Sequence, residues 1–195
     1  MSKHLVLAST SRYRRELLER LGLPFETAAP GTDESALAAE LPARRAARLA
    51  AAKADAIAAR LPDAWVIGSD QVASCEGPEG VIVLDKPGTP ERWERQLALL
   101  SGRSARFHTA VALVGPGGRF EHVDHTVVEF RPFSPHEARR YMSRESALDC
   151  AGGFKAEGPG VTLMQRLTSE DPTAIIGLPL IWLCGALREA GFAVP

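Results

Sequence analysis

The stretch LVLASTSRYRRELLERLG, residues 5–22, decides the fold. The apolar run from Leu5 to Ala8 reads as a short buried strand, and the hydroxyl-rich Ser9, Thr10 and Ser11 as a tight turn. The remainder reads as a helix whose inward stripe is Leu17, Leu18 and Leu21. Arg14 stands three, four and seven residues before those leucines, so it shares their stripe. An arginine at the mouth of an apolar stripe needs an anionic partner, because an unpaired buried guanidinium is costly. No acid or amide stands three residues after Ser9, Thr10 or Ser11 to complete a capping box. The turn therefore offers hydroxyls, backbone N–H groups, the positive end of a helix dipole and several arginines together, an arrangement suited to phosphate. An ordinary N-cap followed by solvated arginines is the alternative these residues leave open.

With 195 residues the chain suffices for one substantial domain, 1–195, with room for two lobes around a substrate cleft. A formal net charge of −1 argues against bulk electrostatic binding of nucleic acid, so any anion must be held by local clusters. No apolar run is long enough to span a membrane, and MSKHLVLAST runs straight into a strand without a signal-peptide pattern. Cys75, Cys150 and Cys184 are odd in number and lack CxxC spacing, for which a reducing cytoplasm is the simplest account.

Working outward, Gly22 and Pro24 break the chain and Phe25 to Ala29 suggests a second strand, followed by the loop PGTDES with Asp33 and Glu34. Ala43 to Leu61 is alanine-rich and helical by propensity, with an apolar line Leu49, Ile57, Leu61 that also contains Lys53. That lysine either snorkels out or points into a cleft. Trp65 to Ile67 reads as a buried strand ending at Gly68-Ser69-Asp70-Gln71, and an acid at such a strand end serves either catalysis or a turn. A hairpin follows, Val72 to Cys75 and Val81 to Leu84 around EGPEG, leading to Asp85-Lys86-Pro87-Gly88. Thr89-Pro90-Glu91 starts a helix with Pro in its first turn. Arg106 to Val114 and Phe120 to Phe130 form two strands around a Gly/Pro turn. Ser134-Pro135-His136-Glu137 is a capping box opening a helix to about Ser143. The tail holds CAGGFKAEGPG, a strand VTLMQRL, the segment TSEDPTAIIGLPL and a last helix from about Pro179 to Ala190. Interleaved strands and helices without repeats give an α/β class, a curved mixed sheet flanked by helices.

Ser9, Arg14, Arg15, Glu34, Lys53, Asp70, Lys86, Lys155 and Glu157 stand out as polar residues at strand ends, in Gly-rich turns or in apolar stripes. Cations mixed with a few carboxylates suit a metal–triphosphate site, since hard Mg²⁺ prefers carboxylate and phosphate oxygens while Arg and Lys neutralise phosphate. GxxxxGK[ST], GxGxxG after a strand and GxSxG are all absent. His122 and His125 lie three apart in a strand, on opposite faces, which disfavours a shared zinc. Nothing nearby activates Cys75 or Cys150, so buried structural thiols are the default.

ASTSRYRRELL, the acidic pair of PGTDES, the lysine of LAAAKA, GSDQV, LDKP and AGGFKAEGPG…IIGLPL occur together in the order and spacing of the Maf family, which this chain resembles from about residue 5 to 185. The resemblance implies a cytoplasmic nucleoside triphosphate pyrophosphatase that yields NMP and diphosphate with a divalent cation, Mg²⁺ or Mn²⁺. It implies Asp70 as the proton acceptor for the attacking water, with Lys53 and Lys86 as catalytic cations and Glu34 with Asp70 holding the metal. Ser9, Arg14 and Arg15 would bind the triphosphate. A small-molecule nucleotide is the implied partner, without nucleic acid or membrane, and family members are often homodimers.

Tyr13, Gln71 and Glu157 resemble the YceF-like branch acting on 7-methyl-GTP, whereas the dTTP/UTP branch carries Arg, Thr and Gln there. Chemistry agrees: a cationic 7-methylguanine on a tyrosine face gains ~1–2 kcal/mol when desolvated. The Glu157 carboxylate can accept from the guanine N1–H and exocyclic amine, a donor pair that uracil and thymine lack. A dTTP/UTP pyrophosphatase, or a non-catalytic nucleotide-binding regulator of cell division, are the competing readings.

Overall fold

The computed structural model describes residues 3–194. β1 (Leu5–Ala8) passes through the hydroxyl turn into α1 (Arg12–Glu19), as the opening stretch predicts. β2 (Glu26–Thr27) is much shorter than the FETAA segment suggests. Only those two residues pair in parallel with β1, Val6 opposite Glu26 and Leu7 opposite Thr27, while Phe25 is used for packing on the core. α2 (Pro42–Ala58) stops short of Leu61, which lies outside the helix and is exposed. The expected line of fours overshoots: at 3.6 residues per turn, twelve residues carry a side chain about 120° around from Leu49.

β3 (Trp65–Gly77) is one unbroken strand of 13 residues, which corrects the reading of Asp70 as a strand end. It turns at Gly77–Gly80 into the antiparallel β4 (Gly80–Leu84), the expected hairpin. Thr89 caps α3 (Pro90–Leu100), and β5 (Ser104–Gly115) and β6 (Gly118–Phe130) follow. α4 (Pro135–Arg144) opens with both arms of the capping box, Glu137 N donating to Ser134 Oγ at 3.3 Å and Ser134 N to Glu137 Oε2 at 2.8 Å. VTLMQRL is divided: a 3-10 turn takes Pro159–Leu163, and β7 (Met164–Thr168) takes the rest. α5 (Leu180–Glu189) ends the described fold.

Among the described residues the strands make one seven-stranded mixed sheet, ordered β2-β1-β3-β5-β6-β7 with β4 on β3. The chain divides into two compact units. The first takes the chain up to Gln71, Thr109–Asp124 and the chain from Asp171 on; the second takes Val72–His108 and His125–Glu170.

In the first unit β1 pairs in parallel with β3 from Leu5–Trp65 to Ala8–Gly68 and is buried on both faces. Leu5 and Leu7 point to a core shared with Leu17, Leu18, Leu183 and Leu187, while Val6 and Ala8 point to one shared with Ala54 and Ile57. A parallel strand covered on both sides must be apolar throughout, which is why LVLA has no polar alternation. The second unit is built on aromatics: Trp93 meets Tyr141 edge-on at 5.7 Å, and Phe130 meets Phe154 at 5.0 Å. Trp93 Nε1 donates to the Gly153 carbonyl at 2.6 Å, satisfying the indole inside this cluster.

Gly68 fixes how closely α2 lies on β3. A Cβ there would strike the Ala50 carbonyl oxygen and come within 2.5 Å of Ala54 N and 2.9 Å of Ala54 Cβ. Backbone cannot rotate away as a side chain can, so Gly68→Ala is expected to destabilise the fold by ~3 kcal/mol. A wild-type denaturation midpoint in that variant, measured by circular dichroism, would contradict this packing.

Candidate active site

Lys53 reaches the site because α2 is alanine-rich on the side facing β3. Ala50, Ala54 and Gly68 leave so little bulk that the helix lies close, and the lysine between them is buried, 5% exposed. Its Nζ lies 2.7 Å from Asp70 Oδ1 and 2.6 Å from Glu34 Oε1. Snorkelling is therefore ruled out for this lysine: the stem stays inside and the ammonium is held between two carboxylates.

The two carboxylates are supported differently. Asp70 is buried in the middle of β3. Glu34 is exposed on a loop that α2 ties down by two arginines: Arg45 Nη2 donates to Glu34 O at 3.3 Å, and Arg48 Nη2 to Ser35 O at 3.1 Å. Arg48 also grips Glu40 with two bonds, 2.6 and 2.7 Å, and this pairing holds the Glu40 carboxyl down at about 2. Asp33 closes the turn before it, accepting from Ser35 N and Oγ at 2.9 and 2.6 Å.

Arg14 is half-buried on the side of α1 that carries Leu17 and Leu18, and its Nε hydrogen bond goes to a neutral carbonyl. Burial pushes its pKa down, while the charges of Asp70 and Glu34 act in the opposite direction. Its Nε donates to the Gly177 carbonyl at 3.0 Å. One guanidinium, one ammonium and two carboxylates thus share a single electrostatic neighbourhood within the first unit.

The other candidates are placed less uniformly. Ser9 is buried and its Oγ accepts from Ser11 N at 3.1 Å, while Ser11 is the N-cap of α1, accepting from Arg14 N at 3.5 Å. The ordinary capping role therefore falls to Ser11. Arg15 is exposed and pairs along the helix with Glu19 at 3.7 Å. Tyr13 carries the Arg12 guanidinium 4.7 Å from its ring centre, and Arg12 Nη2 donates to its hydroxyl at 2.7 Å. Gln71 is tied inward, its Nε2 lying 2.9 Å from Thr109 Oγ1, 3.1 Å from Ala174 O and 3.0 Å from Ile175 O. Three acceptors around one nitrogen fix which way the amide is turned. In the second unit Lys86 and Glu157 are exposed, Glu157 on a turn, and Lys155 is buried 4.0 Å from Glu145.

Several contributors carried no signal that sequence reasoning used. Arg45 and Arg48 look like helix-surface charges, and Ser69 like a turn residue, yet Ser69 is fully buried and donates to Gly177 O at 2.9 Å. Backbone carbonyls of 174–177 have no side-chain code at all.

The family model described as Maf-like protein matches residues 4–190. The chain belongs to the Maf family. Among curated family members, "7-methyl-GTP pyrophosphatase" of Xanthomonas oryzae pv. oryzae is 53% identical over 195 residues, covering all of both chains. The protein of that name from Xanthomonas campestris pv. campestris is 54% identical over 196 residues, again with full coverage of both. The one from Aromatoleum aromaticum is 50% identical, covering 98% of this chain and 97% of its own. Among solved structures, the Staphylococcus aureus Ham1 protein aligns with a TM-score of 0.52 at 17% identity, over 97% of this chain and 100% of that one. That likeness supports the α/β fold alone.

Outside the Maf motifs, His122 and His125 go separate ways, as their spacing predicts. His122 stacks on Trp182 at 5.2 Å, and His125 Nδ1 lies 2.9 Å from His108 Nδ1. None of the three cysteines forms a disulfide among the described residues, and burial pushes the Cys75 and Cys184 thiols up, away from thiolate chemistry. Burial, then the neighbouring His125 and Arg106, pushes His108 from the ordinary 6.5 down to about 4. The unfolded chain takes up this proton near 6.5 and the folded chain only near 4, so the stability is fully present above that window and is lost as pH falls through it. Melting temperatures measured across the window should fall less steeply in His108→Gln than in the wild type. Superimposable slopes would show that His108 does not titrate in this way.

Proposed function

We propose that this Maf protein, acting as a single domain over residues 1–195, hydrolyses 7-methyl-GTP to 7-methyl-GMP and diphosphate. The observation that carries the reading is the convergence of Asp70 and Glu34 on Lys53 Nζ, in a chain half-identical along its full length to proteins named for that activity.

In this reading water attacks the α-phosphorus and the α–β anhydride P–O bond breaks, with diphosphate as the leaving group. Asp70 takes the proton of the attacking water. Its carboxylate suits the role because the strand holds it still and Lys53 orients one oxygen at 2.7 Å. Lys53 and Arg14 then offset charge on the phosphates, with Ser9, Arg15 and Lys86 completing the triphosphate contacts on the strength of the family pattern.

Glu34 and Asp70 are hard oxygen donors meeting at one point, and no group of three or more His, Cys, Asp or Glu gathers among the described residues. Two carboxylates fit Mg²⁺ or Mn²⁺, ions that complete their shells with phosphate and water oxygens. Such an ion, when bound, polarises the phosphate oxygens.

Base choice rests on Tyr13, Gln71 and Glu157. The Tyr13 ring carries the Arg12 guanidinium 4.7 Å from its centre, so a positively charged base stacking on that face would have to displace it. Gln71 is anchored by three acceptors, so it shapes the site as a fixed group. Among the described residues no helix is long and apolar enough to cross a membrane. Cysteines outside any disulfide support a reducing cytoplasm, and the family pattern supports a homodimer.

A pyrophosphate-release screen over 7-methyl-GTP, GTP, dTTP, UTP and CTP with Mg²⁺ or Mn²⁺ tests the assignment, and bound but uncleaved nucleotide in every case would sink the enzyme reading. Asp70→Asn should lower kcat by about 10³-fold with nucleotide affinity largely retained. Near-wild-type turnover in that variant would remove Asp70 from the role of base. Glu157→Gln should narrow the preference for 7-methyl-GTP over dTTP, and an unchanged substrate profile would refute carboxylate recognition of the base.

A further inference from the structure

Four side chains of the first unit end on backbone carbonyls of one short loop. Arg14 Nε and Ser69 Oγ both donate to Gly177 O, at 3.0 and 2.9 Å. Gln71 Nε2 and Thr109 Oγ1 meet Ala174 O at 3.1 and 2.9 Å, and Gln71 Nε2 also meets Ile175 O. A backbone carbonyl sits wherever its loop is held, so whatever sets this loop sets the side chains that depend on it.

The loop is set from within by Asp171 and Thr173. Asp171 is buried, 3% exposed; its Oδ1 accepts from Thr173 N at 2.9 Å and lies 2.6 Å from Thr173 Oγ1, and its Oδ2 accepts from Ile181 N at 2.6 Å. Thr173 Oγ1 in turn lies 2.9 Å from Leu178 O and accepts from Leu180 N at 2.9 Å. Capping α5 accounts for the bonds from Leu180 N and Ile181 N. It does not account for the contact with Leu178 O, which closes the chain from 173 to 178 around Gly177. Gly177 has φ +130°, and a Cβ there would stand 3.5 Å from Arg14 Cγ and Nε. The loop is shaped so that the Arg14 side chain can lie flat against it.

We propose that Thr173, locked by Asp171, is a positioning residue for Arg14: it fixes the Gly177 carbonyl and, through the Nε bond, the direction of the guanidinium. The consequence for catalysis rests on the reading of Arg14 as a triphosphate ligand; the positioning itself does not. The bond occupies the Nε edge and leaves the Nη groups as the part a phosphate would meet.

In ¹⁵N-edited NMR spectra of the full chain, the Arg14 Nε–H is assigned by its loss in Arg14→Lys. Its solvent exchange should be about tenfold faster in Thr173→Val and near the wild-type rate in Thr173→Ser, which keeps the hydroxyl. Unchanged exchange in folded Thr173→Val overturns the proposal. If Thr173→Val does not fold, Asp171→Asn is read in the same way. Kinetically, Thr173→Val should raise KM for 7-methyl-GTP about tenfold, leave kcat within about threefold, and lose this effect in an Arg14→Ala background. Multiplicative effects of the two substitutions overturn the proposal, since Thr173 would then act by another route. Absence of wild-type turnover counts against the substrate assignment alone, and the exchange measurement still decides the positioning.

Discussion

A buried ammonium between two carboxylates is the constraint on which the first unit depends. Lys53 Nζ, inside an apolar stripe, is paired with both Asp70 and Glu34, and its ammonium separates the two carboxylates. Small residues make the meeting feasible, because Gly68 lets α2 settle onto β3 at the level of Ala50 and Ala54. Two anions against one cation leave an excess of negative charge, and Arg14 responds to that excess from α1. Arg14 and Lys53 together balance the charges of Asp70 and Glu34.

The two carboxylates differ in what holds them. Asp70 shares its stretch of β3 with Ser69 and Gln71, both hydrogen-bonded to the loop that carries Ala174, Ile175 and Gly177. Three consecutive polar residues inside a buried strand are tolerated because those with neutral side chains reach carbonyls and the charged one reaches Lys53. Glu34 hangs on a loop whose backbone is restrained by Arg45 and Arg48. In the role proposed above, Asp70 would benefit from its rigid placement in the strand.

Much of this was legible because local chemistry wrote it into the chain. LVLA reads as a buried strand and Ser134 with Glu137 announces a helix start, whereas Lys53 in an apolar line leaves a snorkelling and a cleft-facing lysine open until the fold is seen. Asp70 misled as to its setting, since Gly-Ser-Asp-Gln resembles the end of a strand; its partner Lys53 lies 17 residues back, and the Gly177 carbonyl that its neighbour Ser69 reaches lies 108 ahead, beyond any local pattern. Leu61 misled because a count of fours drifts from the helical period. The carbonyls of 174–177 were invisible because every residue has one, and only the fold says which are used. The active-site motifs were recognised through the family pattern, and the distances between them came from tertiary structure.

β1 has a further consequence for how the molecule is made. Its four residues are sealed by β3, about sixty residues later, and by α5, whose Leu183 and Leu187 share the core of Leu5 and Leu7. β1 therefore has no complete shelter until α5 has followed it in synthesis. Parallel pairing and closure over so long a loop slow folding, and the exposed apolar strand is open to association with other chains during that interval. β1 and α5 share one core and complete it together, although they are made far apart in synthesis.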